Sequence, residues 1–157
     1  MAGTLVFNRS KGRFVEFAER VNANDPTNAV FVWSLWNITA SDATQRDLDD
    51  IAAIEASGTN AELTSGTNAN YVRKTLADGA LTITYDDTND RVDIDCADQT
   101  WTALGAGTAI TAAIASYDSD STGGADSAQL PVTQHDFAIT PDGSDVTAQI
   151  AVFARAA

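Results

Sequence analysis

The amino-acid sequence predicts an α+β fold that is mainly β, an antiparallel β-sandwich or barrel-like domain with two short helices in its N-terminal third. From residue 71 onward, short stretches of alternating apolar and polar side chains are separated by turn sequences, which is typical of antiparallel sheets. Before that point, two segments have apolar residues at the spacing of amphipathic helices. The length of 157 residues is sufficient for one domain with its own core.

The N-terminal region begins with a short strand followed by an amphipathic helix. The sequence TLVFN (4–8) predicts the strand. In KGRFVEFAERVNAN (11–24), apolar side chains recur on one face of a helix, and NDP (24–26) ends it. We therefore divide the chain into an N-terminal strand or arm, residues 1–13, which is a possible contact with a partner or another subunit, and a single mainly β domain, residues 14–157.

A long strand and a second helix follow. NAVFVWSLWNI (28–38) is apolar on both faces of a strand, so this strand is either central in its sheet or covered by another subunit. In SDATQRDLDDIAAIEASG (41–58), Asp42 and Gln45 resemble a capping box. Helical apolar spacing then continues towards Gly58, a suitable residue to follow a helix end. The segment therefore predicts one second short helix.

The remaining strands are predicted from alternation and from the turn residues between them. They are YVRKTL (71–76), LTITYD (81–86), RVDIDC (91–96), TWTAL (100–104), AITAAIASY (109–117), HDFAIT (135–140) and DVTAQIAVF (145–153). The turn sequences DGA, DDTND, GAG, DSDSTGG and PDGS lie among them. Short strands at this spacing indicate antiparallel pairing.

A dense acidic run, YDDTNDRVDIDC (85–96), contains five aspartates. Apolar side chains alternate on both sides of its centre, which predicts a β-hairpin whose buried face includes Tyr85. Asp93 and Asp95 then lie on the solvent face, opposite threonines of the other strand. The run does not match a calcium-binding loop, because Arg91 stands at the sixth position, which requires glycine.

A second acidic run, YDSDSTGGADSAQL (117–130), is closer to a calcium-binding loop. Asp118, Asp120 and Asp126 match the first, third and ninth ligand positions of such a loop. The twelfth position is Gln129, which cannot supply the bidentate carboxylate. A flexible acidic turn is the favoured interpretation, and a weak calcium site at the three aspartates is the alternative.

The charge of the chain is strongly negative and unevenly distributed. The formal net charge is -13, which is expected to repel nucleic acids and anionic membranes, so we predict neither as a partner. Residues 1–40 hold four basic and three acidic side chains, whereas the remainder holds five basic and nineteen acidic ones. The basic cluster in the first segment is either chance clustering on a solvated surface or a surface that docks on an acidic partner.

Residues that support catalysis are sparse in this sequence. Cys96 is the single cysteine and His135 the single histidine, so a cysteine-based zinc site lacks ligands, and His135 is expected to lie in a turn or sheet. The sequence has neither the Gly-x-Ser-x-Gly elbow of hydrolases nor a phosphate-binding glycine loop. We therefore expect no enzymatic activity and no cofactor, although acid–base chemistry by two carboxylates remains open.

Aromatic residues are concentrated near the N-terminus, with six of the twelve in the first 36 residues. One interpretation is an aromatic core. The other is an interface, because aromatic and arginine side chains are enriched there, and two tryptophans on opposite faces of one strand do not easily share one core. The candidate interface residues are Phe7, Arg9, Lys11, Arg13, Phe14, Phe17, Trp33 and Trp36.

Several stretches resemble small virion proteins of tailed double-stranded DNA phages. They are KGRFVEFAERV, NDPTNAVFV, NYVRKTL, DDTNDRVDID, DQTW and YDSDSTGGADSAQLPVTQHDFAITPDGSDVTAQI, and they cover about Lys11 to Ala151. The resemblance implies a capsid decoration (cement) protein that bridges neighbouring subunits of the major capsid protein. It also implies a position on the outer capsid surface of the virion, synthesis in the host cytoplasm, and a homo-oligomer, with a trimer favoured.

Two other functions remain open at this point. A phage tail-tube or head–tail connector component is also expected to be acidic and rich in strands. A carbohydrate-binding or host-adhesion β-module belongs to a different class, and it requires an exposed tryptophan on a sheet face for stacking against sugars. Trp33, Trp36 and Trp101 are the candidates for that role.

Overall fold

The structure, a computed structural model, describes residues 4–157, of which strands form the largest part. Strands account for 36% and helices for 17%. In chain order the strands are β1 (Thr4–Val6), β2 (Val30–Asn37), β3 (Ala61–Glu62), β4 (Lys74–Leu76), β5 (Leu81–Asp86), β6 (Arg91–Cys96), β7 (Gln99–Trp101), β8 (Ile110–Asp118), β9 (Leu130–Ile139), β10 (Val146–Ala148) and β11 (Ala154–Ala156). The α-helices are α1 (Phe14–Asn22), α2 (Asp42–Arg46) and α3 (Ile51–Ala56), and 3-10 turns lie at Asn8–Ser10 and Asp126–Ala128.

The largest sheet of the described residues has six strands and contains β2 near its centre. Its order is β1-β9-β8-β2-β3, and β4 pairs with β2 along the same edge as β3. Two smaller sheets have the orders β11-β6-β5 and β10-β7, and all pairings are antiparallel. The α+β, mainly β fold class is therefore confirmed. No helix within residues 4–157 is long and apolar enough to cross a membrane.

Both faces of β2 are covered by the chain itself. One face places Phe31 and Trp33 in the main core, which also contains the apolar face of α1 and residues of both smaller sheets. The other face places Trp36 in a second core with residues of β1, α3 and β8. The other buried members of that core are Leu5, Phe7, Ile51, Ile54 and Ile114. A strand that is apolar on both faces is thus satisfied within one chain.

Helix α1 forms where its apolar spacing predicts it. Phe14, Phe17, Ala18 and Val21 are buried, at helical spacing along one face. At its end, the Asn22 side chain lies against the outer edge of β5. The Asn22 amide Nδ2 donates to the Leu81 carbonyl oxygen at 2.8 Å, and its Oδ1 accepts from the Leu81 amide at 3.2 Å. These two bonds fix α1 to the β5–β6 hairpin.

The prediction of one helix in residues 41–58 is wrong, because the chain forms two helices in that segment, α2 and α3. The Ser41 Oγ accepts from the Thr44 amide at 3.3 Å, so Ser41 caps α2 at the position expected for Asp42. The Asp50 Oδ1 accepts from the Ala53 amide at 2.7 Å and begins α3. A capping aspartate inside the apolar repeat therefore divides the helix. Gly58 follows α3 with a φ of +78°, as its predicted role requires.

The proposed boundary at residue 13 has no counterpart in the described part of the chain. β1 pairs with β9, and the Phe7 amide donates to the Val132 carbonyl at 3.1 Å. The buried Ser10 hydroxyl donates to the Pro131 carbonyl at 2.6 Å. The strand predicted at 4–8 is confirmed, but residues 4–13 are an integral part of the domain and not an arm. Residues 1–3 of the predicted arm lie outside the described residues.

The predicted hairpin of β5 and β6 is confirmed, whereas the start of β9 is earlier than predicted. β9 begins at Leu130 and not at His135. Pro131 weakens a strand prediction because it donates no hydrogen bond to a ladder. In the structure, the pairing of β8 with β9 shifts register between Ala115 and Ser116, opposite Pro131, and such an irregularity accommodates proline. The short strands β3 and β11 were not predicted.

Truncation of Phe7 tests whether the N-terminal segment belongs to the core. Phe7 is fully buried, so we expect Phe7→Ala to lower the free energy of unfolding by about 3–5 kcal/mol. Val72→Ala, at a side chain that is 59% exposed, is the control and is expected to change it by less than about 0.5 kcal/mol. Denaturant unfolding measures both. Equal stability of the two variants would show that the segment is a detachable arm.

Candidate binding surface

The aromatic residues predicted as interface anchors are core residues instead. Phe7, Phe14, Phe17, Trp33 and Trp36 are between 0% and 6% exposed. Their side chains are therefore not available to a partner at the surface. The prediction failed because β1 and α3 cover the second face of β2. The apolar pattern of β2 alone does not reveal which distant segments cover it. The aromatic-core interpretation is the correct one for these five residues.

The tryptophans expected for sugar stacking are also buried. Trp33, Trp36 and Trp101 are each at most 1% exposed. The Trp36 indole Nε1 donates to the Ser34 hydroxyl at 2.7 Å, and that of Trp101 donates to the Val72 carbonyl at 2.8 Å. A carbohydrate-binding module that stacks sugars on these rings is therefore excluded, since a stacking platform needs an exposed ring face.

The basic residues predicted for the interface are exposed, and the two arginines among them form loose ion pairs within the chain. We call residues 8–13 the basic turn. Arg9 lies 4.0 Å from the Asp49 carboxylate, and Arg13 lies 3.7 Å from that of Glu16. The Lys11 Nζ donates to the Asn8 Oδ1 at 2.7 Å. Exposed pairs of this kind contribute little to stability, so these cations are free to exchange their partners for the carboxylates of another molecule.

A groove beside α1 is lined by a pair of guanidinium groups above a floor of two buried aromatic rings, Phe17 and Tyr117. We call it the α1 groove; it encloses about 270 Å³, and Arg13, Phe17, Arg20, Tyr117 and Leu130 are among its lining residues. The Arg13 guanidinium lies over the Phe17 ring, 4.7 Å from its centroid. The Phe17 and Tyr117 rings stack at 4.4 Å with an interplanar angle of 7°. The floor is therefore rigid.

The charges at the α1 groove are mixed, because Arg13 and Arg20 face the carboxylates of Glu16, Asp25 and Asp118. The Arg20 Nε donates to the Glu16 Oε1 at 2.9 Å, and Glu16 is also the near carboxylate of Arg13. One carboxylate is thus shared by two guanidinium groups, with Asp25 a more distant negative charge. The hydrogen bond to Glu16 raises the pKa of Arg20, and burial raises the pKa of Tyr117. At neutral pH the groove therefore holds a neutral Tyr117 hydroxyl beside two guanidinium groups and their carboxylates.

The turn of the β5–β6 hairpin carries the exposed negative charge that the sequence predicts. We call residues 86–90 the acidic turn. The Asp86 carboxylate accepts from the Asn89 side chain at 2.7 Å and from the Asn89 amide at 3.2 Å. The side-chain bond is the main reason that the pKa of Asp86 lies below its usual range. Asp87 and Asp90 are exposed. The acidic turn is thus a shaped, negatively charged projection.

Two details of this hairpin differ from the prediction. Tyr85, expected on the buried face, is 58% exposed and donates from its hydroxyl to the Glu19 Oε1 at 2.5 Å. The end of the hairpin extends past the core, so alternation continues there without burial. Asp93 pairs opposite Thr84 as predicted. It also accepts from the Arg155 Nε at 2.5 Å, a contact that the sequence did not reveal because β11 was not predicted.

The three aspartates proposed as a weak calcium site face different partners. The Asp118 Oδ1 accepts from the Asp120 amide, and the Asp120 Oδ1 accepts from the Thr122 amide, both at 3.0 Å. Asp126 is engaged by Arg73, whose Nη1 donates to its Oδ1 at 2.5 Å. Across residues 4–157, no group of three or more His, Cys, Asp or Glu side chains is placed to hold a metal ion. The structure therefore gives the three aspartates separate partners and does not assemble them into one ligand set.

Arg73 organises a partly buried cluster that sequence reasoning missed. Its Nε donates to the Glu62 Oε1 at 2.7 Å, and its Nη2 reaches the other oxygen of Glu62. The Tyr71 hydroxyl donates to the same Glu62 Oε1 at 2.7 Å and accepts from the Leu35 amide at 3.1 Å. The cluster joins β2, β3 and the 3-10 turn at Asp126. Burial, followed by the Asp126 and Glu62 charges, raises the pKa of nearby Glu55.

The single histidine and the single cysteine are both buried. His135 lies in β9, as the sheet interpretation predicts, with its Nε2 2.9 Å from the Thr133 hydroxyl. Burial lowers the pKa of His135 to about 4. Burial also raises the pKa of the Cys96 thiol to about 12, so the thiol stays protonated at neutral pH. These environments are typical of core residues.

Removal of the Arg73 cation tests the cluster. Arg73→Met keeps the apolar stem and leaves the Glu62 carboxylate without its main partner. We expect a loss of about 3 kcal/mol in the free energy of unfolding, the lower end for a buried pair, because 25% of the Arg73 side chain is exposed. Adding Glu62→Gln should recover part of this loss. Arg9→Met is the control, and denaturant unfolding of the three variants gives the comparison; an equal loss in both single variants contradicts the assignment.

His135 is expected to make stability depend on pH. Its pKa is about 4 in the folded chain, against an ordinary value of 6.5, so the unfolded chain binds the proton more tightly. Stability is complete above pH 6.5 and falls as the pH decreases from about 6.5 to 4, by about 3 kcal/mol in total. Denaturant unfolding across this range measures the slope. His135→Gln should flatten it, and an unchanged slope would assign the effect to other groups.

No protein-family model, no curated protein and no solved structure matches this chain.

Proposed function

We propose that this protein is a structural virion protein that decorates and stabilises a phage capsid by bridging neighbouring subunits of the major capsid protein. The observation that carries the proposal is the basic turn, an exposed cationic surface on a domain whose net charge is -13. A surface of this sign suits carboxylates on a partner and disfavours contact with nucleic acid through the rest of the chain. The sequence resemblance to small virion proteins supports the same class.

The basic turn is held rigidly by the sheet beneath it. Phe7 and Ser10 are buried on either side of Arg9 and bond to the backbone of β9. The Asn8 side-chain Nδ2 donates to the Asp47 Oδ1 at 2.6 Å, which fixes the turn to the segment between α2 and α3. A preordered surface loses less conformational entropy on binding than a flexible arm does. Arg9 and Lys11 are therefore presented in a defined arrangement.

Weak individual contacts suffice for a protein of this kind. Each exposed ion pair adds little free energy and is screened by salt. On a closed shell, however, a copy that bridges two subunits makes its second contact at a high effective concentration. Decoration therefore requires only a modest complementary surface on each copy. We place the protein on the outer surface of the shell, where such bridging positions are accessible after assembly.

Capsid binding tests the proposal. The full-length protein is mixed with shells assembled from the major capsid protein of the phage that encodes it, and the bound fraction is measured by co-sedimentation. We expect wild type to bind, Lys11→Glu to bind at least about tenfold more weakly at low salt, and the difference to shrink as salt is added. Lys74→Glu is the charge control, because it makes the same charge change on β4, on the opposite side of β2 from β1. It also removes an ammonium that lies 5.9 Å from the Trp101 ring centroid, so circular dichroism first confirms that this variant is folded.

Each result has a defined consequence. Equal binding by Lys11→Glu and Lys74→Glu would show that the capsid contact lies outside the basic turn. Absence of wild-type binding to the shells would overturn the decoration proposal. Electron microscopy of the virion then distinguishes the second candidate, since density along a tail or at the head–tail junction would identify a tail-tube or connector component instead.

A further inference from the structure

We infer that the turn between β4 and β5 is a site of spontaneous covalent modification, where Asp78 isomerises to isoaspartate through a cyclic succinimide. The chain contains two Asp–Gly steps, Asp78–Gly79 and Asp142–Gly143, and no Asn–Gly step. Glycine after aspartate favours this chemistry, because the amide nitrogen of the following residue is the nucleophile and glycine has no side chain to hinder its approach. The structure leaves one of the two steps free and protects the other. This inference is independent of the proposed function.

The reaction needs no partner and no co-reactant other than water. The backbone nitrogen of Gly79 attacks the side-chain carbonyl carbon of Asp78 and forms a C–N bond. The protonated side chain loses its hydroxyl, which leaves with the amide proton as water. Water then adds to the former backbone carbonyl of the ring and breaks its original C–N bond. The chain now runs through the Cβ of Asp78, which is isoaspartate, and its mass is unchanged.

Asp78 and Gly79 form the tip of an exposed β-turn. The Ala80 amide donates to the Ala77 carbonyl at 3.0 Å, and Gly79 has a φ of +70°, as the third residue of a type II turn requires. All four residues are exposed. Within residues 4–157, no group accepts from the Gly79 amide or donates to the Asp78 carboxyl. The two reacting groups can therefore approach each other without breaking a tertiary hydrogen bond.

At the second Asp–Gly step, both reacting groups are occupied. The Asp142 Oδ1 accepts from the Ser144 hydroxyl at 2.5 Å and from the Ser144 amide at 2.9 Å. The Gly143 amide, the nucleophile at this step, donates to the Leu104 carbonyl at 3.0 Å. The bonds from Ser144 also lower the pKa of Asp142, so less of its carboxyl is in the protonated form that loses water. This turn must therefore open locally before it reacts.

The fold can absorb the product at Asp78. Isomerisation adds one carbon to the backbone between Leu76 and Leu81, which are both buried. The added length falls within residues 77–80, where every side chain is exposed, and the carboxylate keeps its negative charge. The modified chain is therefore expected to stay folded and to accumulate as the protein ages.

Ageing of the purified full-length protein in mildly acidic buffer, made with water that carries heavy oxygen, tests the site. Mass-spectrometric peptide mapping, with electron-transfer fragmentation to distinguish isoaspartate from aspartate, measures both steps in one sample. We expect isoaspartate with one labelled oxygen to form at Asp78 at least about tenfold faster than at Asp142, because the second turn needs local opening. In the chain unfolded by denaturant, the two rates are expected to converge.

Two variants assign the chemistry to the named groups. Asp78→Glu keeps the charge and the glycine but requires a larger ring, which closes far more slowly, so modification at this position should disappear. Ser144→Ala removes one of the two bonds that hold Asp142, and it should raise the rate at Asp142 while leaving that at Asp78 unchanged. Circular dichroism checks that both variants and the aged wild type are folded.

Four outcomes overturn the inference. They are equal rates at Asp78 and Asp142 in the folded protein, a rate difference that persists in the unfolded chain, modification at Asp78 without uptake of labelled oxygen, and loss of the fold in step with isomerisation at Asp78. Binding to shells is measured on fresh protein with Lys11→Glu. Failure of the modification site and failure of the decoration proposal are therefore distinguishable.

Discussion

The rest of the structure depends on burying both faces of β2. Trp33 and Trp36 lie on opposite faces of one strand, and each is fully buried in a separate core. The main core takes the apolar face of α1 and both smaller sheets. The second core requires β1, Phe7 and α3, so the N-terminal segment cannot be a free arm. Large apolar area on both faces thus determines the topology, because an exposed tryptophan face would forfeit several kcal/mol, roughly 2 or more.

Local patterns in the sequence predict the elements, whereas their assembly depends on contacts that are distant along the chain. The spacing in α1, the alternation in β5 and β6 and the glycine at 58 are each decided within a few residues, and all three predictions are confirmed. The Arg73–Asp126 and Arg155–Asp93 pairs join residues 53 and 62 positions apart. No local pattern identifies such partners. The interface prediction for the aromatic residues failed for the same reason, since burial is a tertiary property.

In the folded chain, carboxylates compensate much of the basic charge that the sequence concentrates near the N-terminus. Four basic residues precede position 21, but Arg9 lies near Asp49, while Arg13 and Arg20 share Glu16. Most of the apparent excess is therefore compensated by carboxylates of the folded chain. Lys11 differs from these arginines, because its Nζ donates to the neutral Asn8 side chain. Surface charge thus has to be evaluated after its internal partners are known.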